Sequence, residues 1–186
     1  MLDKLRAFYT ARTRVIQKKL NRTVPFGDTV VDRWEKAKQL GFGNNSSIYD
    51  SSLVLGDVRA GDNVWIGPGV VLDGSGAPLV IGSYCSISAG VQIYTHDSVG
   101  WAVTEGRQPY TQASTTIGSG VYIGPQTVIS KGLNIGSHVI IGAQSFVNIS
   151  LPDYAVAWGR PVKIVGTVVL VDDGSTYYID FIKNRQ

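Results

Sequence analysis

The sequence predicts an all-β solenoid, a parallel β-helix of about five coils, with a helical segment before it and a β-hairpin after it. The first observation behind this is a six-residue beat of apolar residues. It runs Phe42, Ile48, Val54, Ala60, Ile66 and Leu72, then Ile81, Ile87 and Ile93, then Ile117, Ile123, Ile129, Ile135, Ile141 and Val147. The second is the glycine that often follows the beat, as in Ile66-Gly67, Ile81-Gly82, Ile117-Gly118, Ile123-Gly124, Ile135-Gly136 and Ile141-Gly142. The third is a Val, Ser, Thr or Cys that recurs four places after the beat residue. A period of six is neither the 3.6 of an amphipathic helix nor the 2 of a meander, whereas hexapeptide repeats are the signature of a parallel β-helix. If three hexads close a triangular coil, the coils stack at about 4.8 Å into a prism roughly 24 Å long. Glycine after the inward aliphatic suits a corner, because it reaches positive φ and lets coils approach closely.

Before the coils, residues 1–40 read as a helical cap. Met1 to Arg22 carries Lys4, Arg6, Arg12, Arg14, Lys18, Lys19 and Arg22 against the single acid Asp3. Leu2, Leu5, Phe8 and Tyr9, then Val15, Ile16 and Leu20, fall at spacings compatible with one helical face. Three roles fit a basic amphipathic helix: capping the solenoid or packing an oligomer, which solenoid ends favour, lying on an anionic membrane, or touching nucleic acid, for which no recognition motif is present. A second helix is predicted over Thr29–Leu40, with Asp28 as N-cap and Gly41 as the stop. The coils then occupy 41–166. Residues 167–186 form a tail in which Thr167–Val171 and Thr176–Phe181 flank Asp172-Asp173-Gly174-Ser175 as a hairpin.

The beat fails twice. From Leu72 to Ile81 the interval is nine, so Gly74-Ser75-Gly76-Ala77-Pro78 adds residues at a corner. Between Ile93 and Ile117 no repeat can be read, and an excursion over about 96–115 must bulge from the prism. Long irregular loops in compact domains are usually functional. This one opens on Tyr94-Thr95-His96-Asp97 and contains one of the two histidines of the chain. Imidazole is the natural general base near neutral pH, titrating at about 6.5. His96 is therefore the candidate base and Asp97 a candidate orienting acid, although adjacent side chains on an extended segment point apart. The other histidine, His138, lies in an unbroken repeat and reads as an outward strand residue.

Composition bounds the alternatives. The chain has 186 residues, a net charge of +3 and 44% hydrophobic residues, which suits one domain. No apolar run approaches a membrane span, and the N-terminus lacks the h-region of a signal peptide. The single Cys85 excludes an intrachain disulfide and suits a reducing compartment, with packing as its role. Two histidines and one cysteine offer no metal-ligand spacing, so no metal is expected. No Gly-x-Gly-x-x-Gly or Walker motif offers a nucleotide site. The expected location is cytoplasmic, with the basic helix able to hold the chain at the inner face of the membrane.

With these residues in view, the run from about 40 to 166 resembles the hexapeptide-repeat acyltransferases, including maltose, galactoside, xenobiotic and polysaccharide O-acetyltransferases. The match is strongest in Val139-Ile140-Ile141-Gly142-Ala143-Gln144-Ser145-Phe146-Val147, then Leu151-Pro152-Asp153-Tyr154 and Trp158-Gly159-Arg160-Pro161-Val162-Lys163. Arg160 and Val162 depart from the family's usual exit of Gly-Asn-Pro-Ala-Lys/Arg, and Asn148-Ile149 stands where many relatives have Thr-Lys.

The resemblance implies a left-handed helix, whereas parallel connections are right-handed in about 98% of cases. It implies acetyl-CoA as co-substrate, with Gly124, Pro125, Ala143, Arg160 and Lys163 along its groove. It implies a homotrimer with sites between subunits and His96 as the base of direct transfer. Tyr94, Trp101, Arg107 and Tyr110 are the acceptor candidates, since flat aromatic faces and charged groups suit a sugar, and the same mixture in the excursion equally suits a contact between subunits of a trimer. The favoured reading is an O-acetyltransferase of a sugar, polysaccharide or glycan precursor. The alternatives are N-acetylation of a nucleotide-linked amino sugar, antibiotic acetylation, and a non-catalytic hexapeptide scaffold.

Overall fold

The structure is a computed structural model that describes residues 1–182. Every beat residue points inward. Ile48, Ile66, Ile87, Ile123 and Ile141 pair in parallel down one face of the prism, Val54, Leu72, Ile93, Ile129 and Val147 down a second, and Ala60, Ile81, Ile117 and Ile135 down a third. The isoleucines of this stack are almost wholly removed from solvent, and each contributes about 1.5–3 kcal/mol by burial. The small residues that recur between them also point inward, and their hydroxyls find carbonyls. Ser52 donates to the Gly67 oxygen at 2.6 Å and Thr127 to the Gly142 oxygen at 3.1 Å. Such packing makes the chain a β-solenoid of about six turns, left-handed as the hexapeptide repeat implies.

The extra turn over the five counted from hexads comes from Ala155–Trp158, which adds a sixth parallel rung beside Ile140–Ile141. It escapes the sequence count because Ala157 lies ten residues after Val147. The strand Lys163–Val171 then reverses direction and pairs antiparallel with this last rung, and Thr176–Phe181 pairs with it in turn. The expected hairpin therefore extends the first face rather than starting a separate layer.

The glycines that follow the beat residues are needed for only one of the two reasons given above. None of Gly67, Gly82, Gly118, Gly124, Gly136 and Gly142 has positive φ. They are required by contact: a Cβ at Gly82 would lie 2.6 Å from the Gly118 carbonyl carbon in the next coil. The left-handed position falls later in the corner, where Gly69, Gly90, Gln126, His138 and Gln144 sit. His138 is accordingly a turn residue with φ 58°, not a strand residue, and its ring stacks on Tyr154 at 5.0 Å.

The cap also differs from expectation. Helix α1 spans Leu2–Leu20, α2 Phe26–Val30 and α3 Arg33–Gln39. The predicted single helix over Thr29–Leu40 is broken at Val31, whose backbone is extended, and the N-cap is Asp32, which accepts from Trp34 and Glu35 N–H at 3.0 Å. Asp28 is not a cap, because its carboxylate accepts from the Asp50 N–H at 2.6 Å. Gly41, with φ 73°, does end the helix. The first coil is covered by α3, through buried Ala37 and the following Phe42. Helix α1 lies against α2 instead, where Tyr9 meets Phe26 and Arg12 donates twice to the Thr29 carbonyl at 3.0 and 3.2 Å.

Candidate active site

Both breaks in the beat fall at the corner between the second and third faces, in successive coils. The residues added between Leu72 and Ile81 therefore lie directly beside the excursion that opens after Ile93. Thr95 ties the two together: its hydroxyl donates to the Asp73 carbonyl at 2.8 Å and accepts from the Ala77 N–H at 3.2 Å. Gly76 lies under the histidine, where a Cβ would approach the His96 Cβ to 2.5 Å. This glycine is needed for contact, and the inserted segment forms the floor of the site.

His96 Nδ1 faces the Asp73 carboxylate with 3.6 Å to Oδ2. That is beyond hydrogen-bond distance, and among the described residues Nδ1 has no hydrogen-bond partner. Catalytic hydrogen bonds in unliganded sites often have this length and tighten on binding. Asp73 is buried and fixed from its other oxygen, which accepts from the Ser75 N–H at 3.0 Å and the Ser75 hydroxyl at 2.5 Å. A buried carboxylate facing Nδ1 is placed to accept a proton carried there once the contact tightens, which would leave the Nε2 lone pair for an acceptor.

Asp97, proposed above as a possible orienting acid, has other partners. Its carboxylate pairs with Lys131 from the next coil and accepts from the Val99 N–H at 3.0 Å and the Thr111 hydroxyl at 3.0 Å. The Lys131 bond, followed by those from Val99 and Thr111, lowers its pKa to about 2. Asp97 is thus a fixed anion that anchors the excursion, and the acid facing His96 is Asp73. The excursion is not irregular throughout. His96–Asp97 pairs antiparallel with Thr111–Gln112, and a short helix, α4 (Val99–Val103), fills the space between.

Tyr110 stacks nearly parallel to the His96 ring, with centroids 6.4 Å apart and planes at 16°, and Trp101 meets Tyr110 edge-on at 5.8 Å. These two aromatics make a half-exposed shelf beside the imidazole. Tyr94 instead donates its hydroxyl to Gln92 Oε1 at 2.7 Å. Arg107 pairs with Glu105 at the exposed tip of the excursion, so the structure does not bring it to the shelf.

The five groove candidates occupy a different corner, between the first and second faces of the last coils, or the strand leaving it. A Cβ at Gly124 would lie 2.5 Å from the Ala143 nitrogen, so these coils are in close contact there. Pro125 accepts from the Gln144 N–H at 2.8 Å, and the Arg160 guanidinium donates to the Gln144 carbonyl. Lys163 stands opposite Trp158 at the start of the exit strand. Among the described residues no cluster of histidine, cysteine and carboxylate side chains is suited to a metal. Cys85 is buried, its thiol donates to the Gly118 carbonyl at 3.1 Å, and desolvation pushes its pKa up, which makes it a packing residue.

The family described as bacterial transferase hexapeptide (six repeats) matches residues 114–148. Among solved structures, a mutant form of AntD, an N-acyltransferase from Bacillus cereus in complex with dTDP and coenzyme A, is 25% identical. It superposes with a TM-score of 0.62 over 68% of this chain and 72% of that one. In repeat and in fold the chain is similar to hexapeptide-repeat acyltransferases. Two further solved members share its fold: a maltose O-acetyltransferase from Clostridium difficile 630, 23% identical with a TM-score of 0.61 over 89% of this chain and 87% of that one, and a hexapeptide-repeat acetyltransferase from Vibrio cholerae, 23% identical with a TM-score of 0.57 over 88% and 92%. No curated protein sequence matches at a comparable level. Within this fold, the candidate base and the acid that faces it stand on adjacent coils of one corner.

Proposed function

We propose that the chain transfers acetyl from acetyl-CoA directly to a hydroxyl of a sugar or glycan precursor, with His96 as general base. The observation that carries this reading is the buried Asp73 facing Nδ1 of a histidine that opens the excursion. Nε2 takes the proton of the acceptor hydroxyl as its oxygen attacks the thioester carbonyl. The tetrahedral intermediate then collapses with cleavage of the C–S bond, and the imidazolium returns its proton to the departing thiolate. Asp73 stabilises the imidazolium between these steps. The Tyr110–Trp101 shelf offers a stacking face for a sugar ring.

The groove candidates and His96 lie on different corners of one prism, separated by a face about six residues, or roughly 20 Å, wide. A groove of one subunit completed by the His96 corner of another is the arrangement we favour, as a homotrimer. N-acylation of a nucleotide-linked amino sugar is the second reading. It is supported by AntD, the N-acyltransferase with dTDP and coenzyme A bound, and a neutral amine asks less of the base.

Thermal unfolding with and without coenzyme A, together with thiol release on a panel of sugars and nucleotide-linked amino sugars, tests both readings. His96→Ala is expected to lower turnover at least about a hundredfold while coenzyme A still raises Tm. Near wild-type turnover in that variant, or no response to coenzyme A, would sink the proposal.

A further inference from the structure

Helix α1 is the largest feature that the active site does not use. None of its 19 residues is buried, and among the described residues it touches the rest of the chain mainly through α2. Its exposed apolar residues are not scattered. At 100° per residue Leu5, Phe8 and Val15 fall within about 80° of one another, and Leu2 and Leu20 widen the arc to about 140°; all five are exposed. Half-exposed Phe26, packed on Tyr9, continues this strip onto α2 and closes a cleft of about 310 Å³ with Leu5 and Arg6.

Charge surrounds the strip. Residues 1–40 carry ten Lys and Arg against four Asp and Glu, a net +6, and the remaining residues carry seven against ten, a net −3. Lys4 and Lys19 border or interrupt the apolar strip, where long stems can lie along apolar surface while their ammonium groups reach outward. Among the described residues no helix is long and apolar enough to cross a membrane.

We infer that α1 docks the chain on an anionic phospholipid surface, lying in its plane with Leu5, Phe8 and Val15 inserted and Lys4, Lys18 and Lys19 at the headgroups. Low net hydrophobicity with one apolar face and many basic residues is the pattern of interfacial helices, and each Lys or Arg near an anionic leaflet adds attraction. Nucleic acid explains the charge but leaves Phe8 and Leu5 without a role. A second copy packing helix on helix would bring two positive caps together.

Sedimentation with vesicles of phosphatidylcholine and phosphatidylglycerol (3:1), against phosphatidylcholine alone, tests this on the full chain. The wild type should sediment with the anionic vesicles only, and less at high salt. Leu5→Asp with Phe8→Asp, or Lys4→Glu with Lys18→Glu and Lys19→Glu, should each weaken binding at least about tenfold, with the coenzyme A effect on Tm unchanged. Failure of the wild type to bind anionic vesicles would overturn the inference, as would full binding by both variants or tighter capture by duplex DNA. So would a drop in light-scattering mass in the Leu5/Phe8 variant with lipid binding unchanged, which would assign the strip to a second copy.

Discussion

Asp73→Asn isolates the contribution of one carboxylate. The substitution keeps an oxygen to accept from the Ser75 N–H and hydroxyl, so the corner retains its hydrogen bonds. It removes the charge 3.6 Å from His96 Nδ1. A unit charge at that distance from the imidazolium contributes about 5 kcal/mol at an effective dielectric of about 20. The His96 side chain is 27% exposed, and solvent screening lowers this to about 2–3 kcal/mol. The expected loss is therefore about 30- to 160-fold in kcat, with the KM for acetyl-CoA little changed, because the groove residues lie on another corner. Steady-state kinetics on whichever acceptor the thiol-release panel identifies would measure it. The decisive comparison is made in a His96→Ala background, where Asp73→Asn should cost nothing further, since groups acting as a unit are not additive. A single variant within about threefold of wild type, or equal losses in both backgrounds, would show that Asp73 does not act through His96.

Three further outcomes follow from the same geometry. Gly76→Ala places a Cβ against that of His96 and should lower kcat about tenfold or more, in line with the sensitivity of catalysis to displacements of about 1 Å, while the coenzyme A effect on Tm persists. Lys131→Met removes the main cause of the low Asp97 pKa. In the wild type the native pKa of about 2 lies below the unfolded value of about 3.9. The stabilisation is thus complete above about pH 4 and fades as pH falls towards 2. The variant's Asp97 should titrate closer to 4 in a carboxyl NMR titration, and a value still near 2 would contradict the assignment. Ile87→Ala, in the middle of the first face, should destabilise the chain by about 2–5 kcal/mol in denaturant titration.

What could be read from sequence follows what is local in the chain. An inward aliphatic every six residues is a local requirement of each hexad, so Ile123, Ile129 and Ile135 declare themselves without knowledge of their neighbours. The excursion was legible for the same reason, as a place where the requirement lapses. Asp73 was not, because its relation to His96 depends on which residues of successive coils share a corner. The additions between Leu72 and Ile81 set that relation, and they signal only that something bulges one coil before the excursion. The choice between Asp28 and Asp32 as a cap turned on tertiary contact, since the Asp50 N–H draws the Asp28 carboxylate away. The sixth rung was hidden because Ala155–Trp158 pairs as a coil without keeping the coil's spacing.

Asp73 and His96 come from adjacent coils, so their separation is set by the backbone ladder, whose rungs are about 4.8 Å apart, and by the Thr95 hydroxyl that bridges them. Trp101 and Tyr110 belong to a surface excursion held by two short strands and the Asp97–Lys131 pair. His96 itself opens one of those strands, so the ladder that sets its distance from Asp73 also fixes the start of the shelf, and a shift in the excursion is felt at the imidazole as well as at the acceptor face.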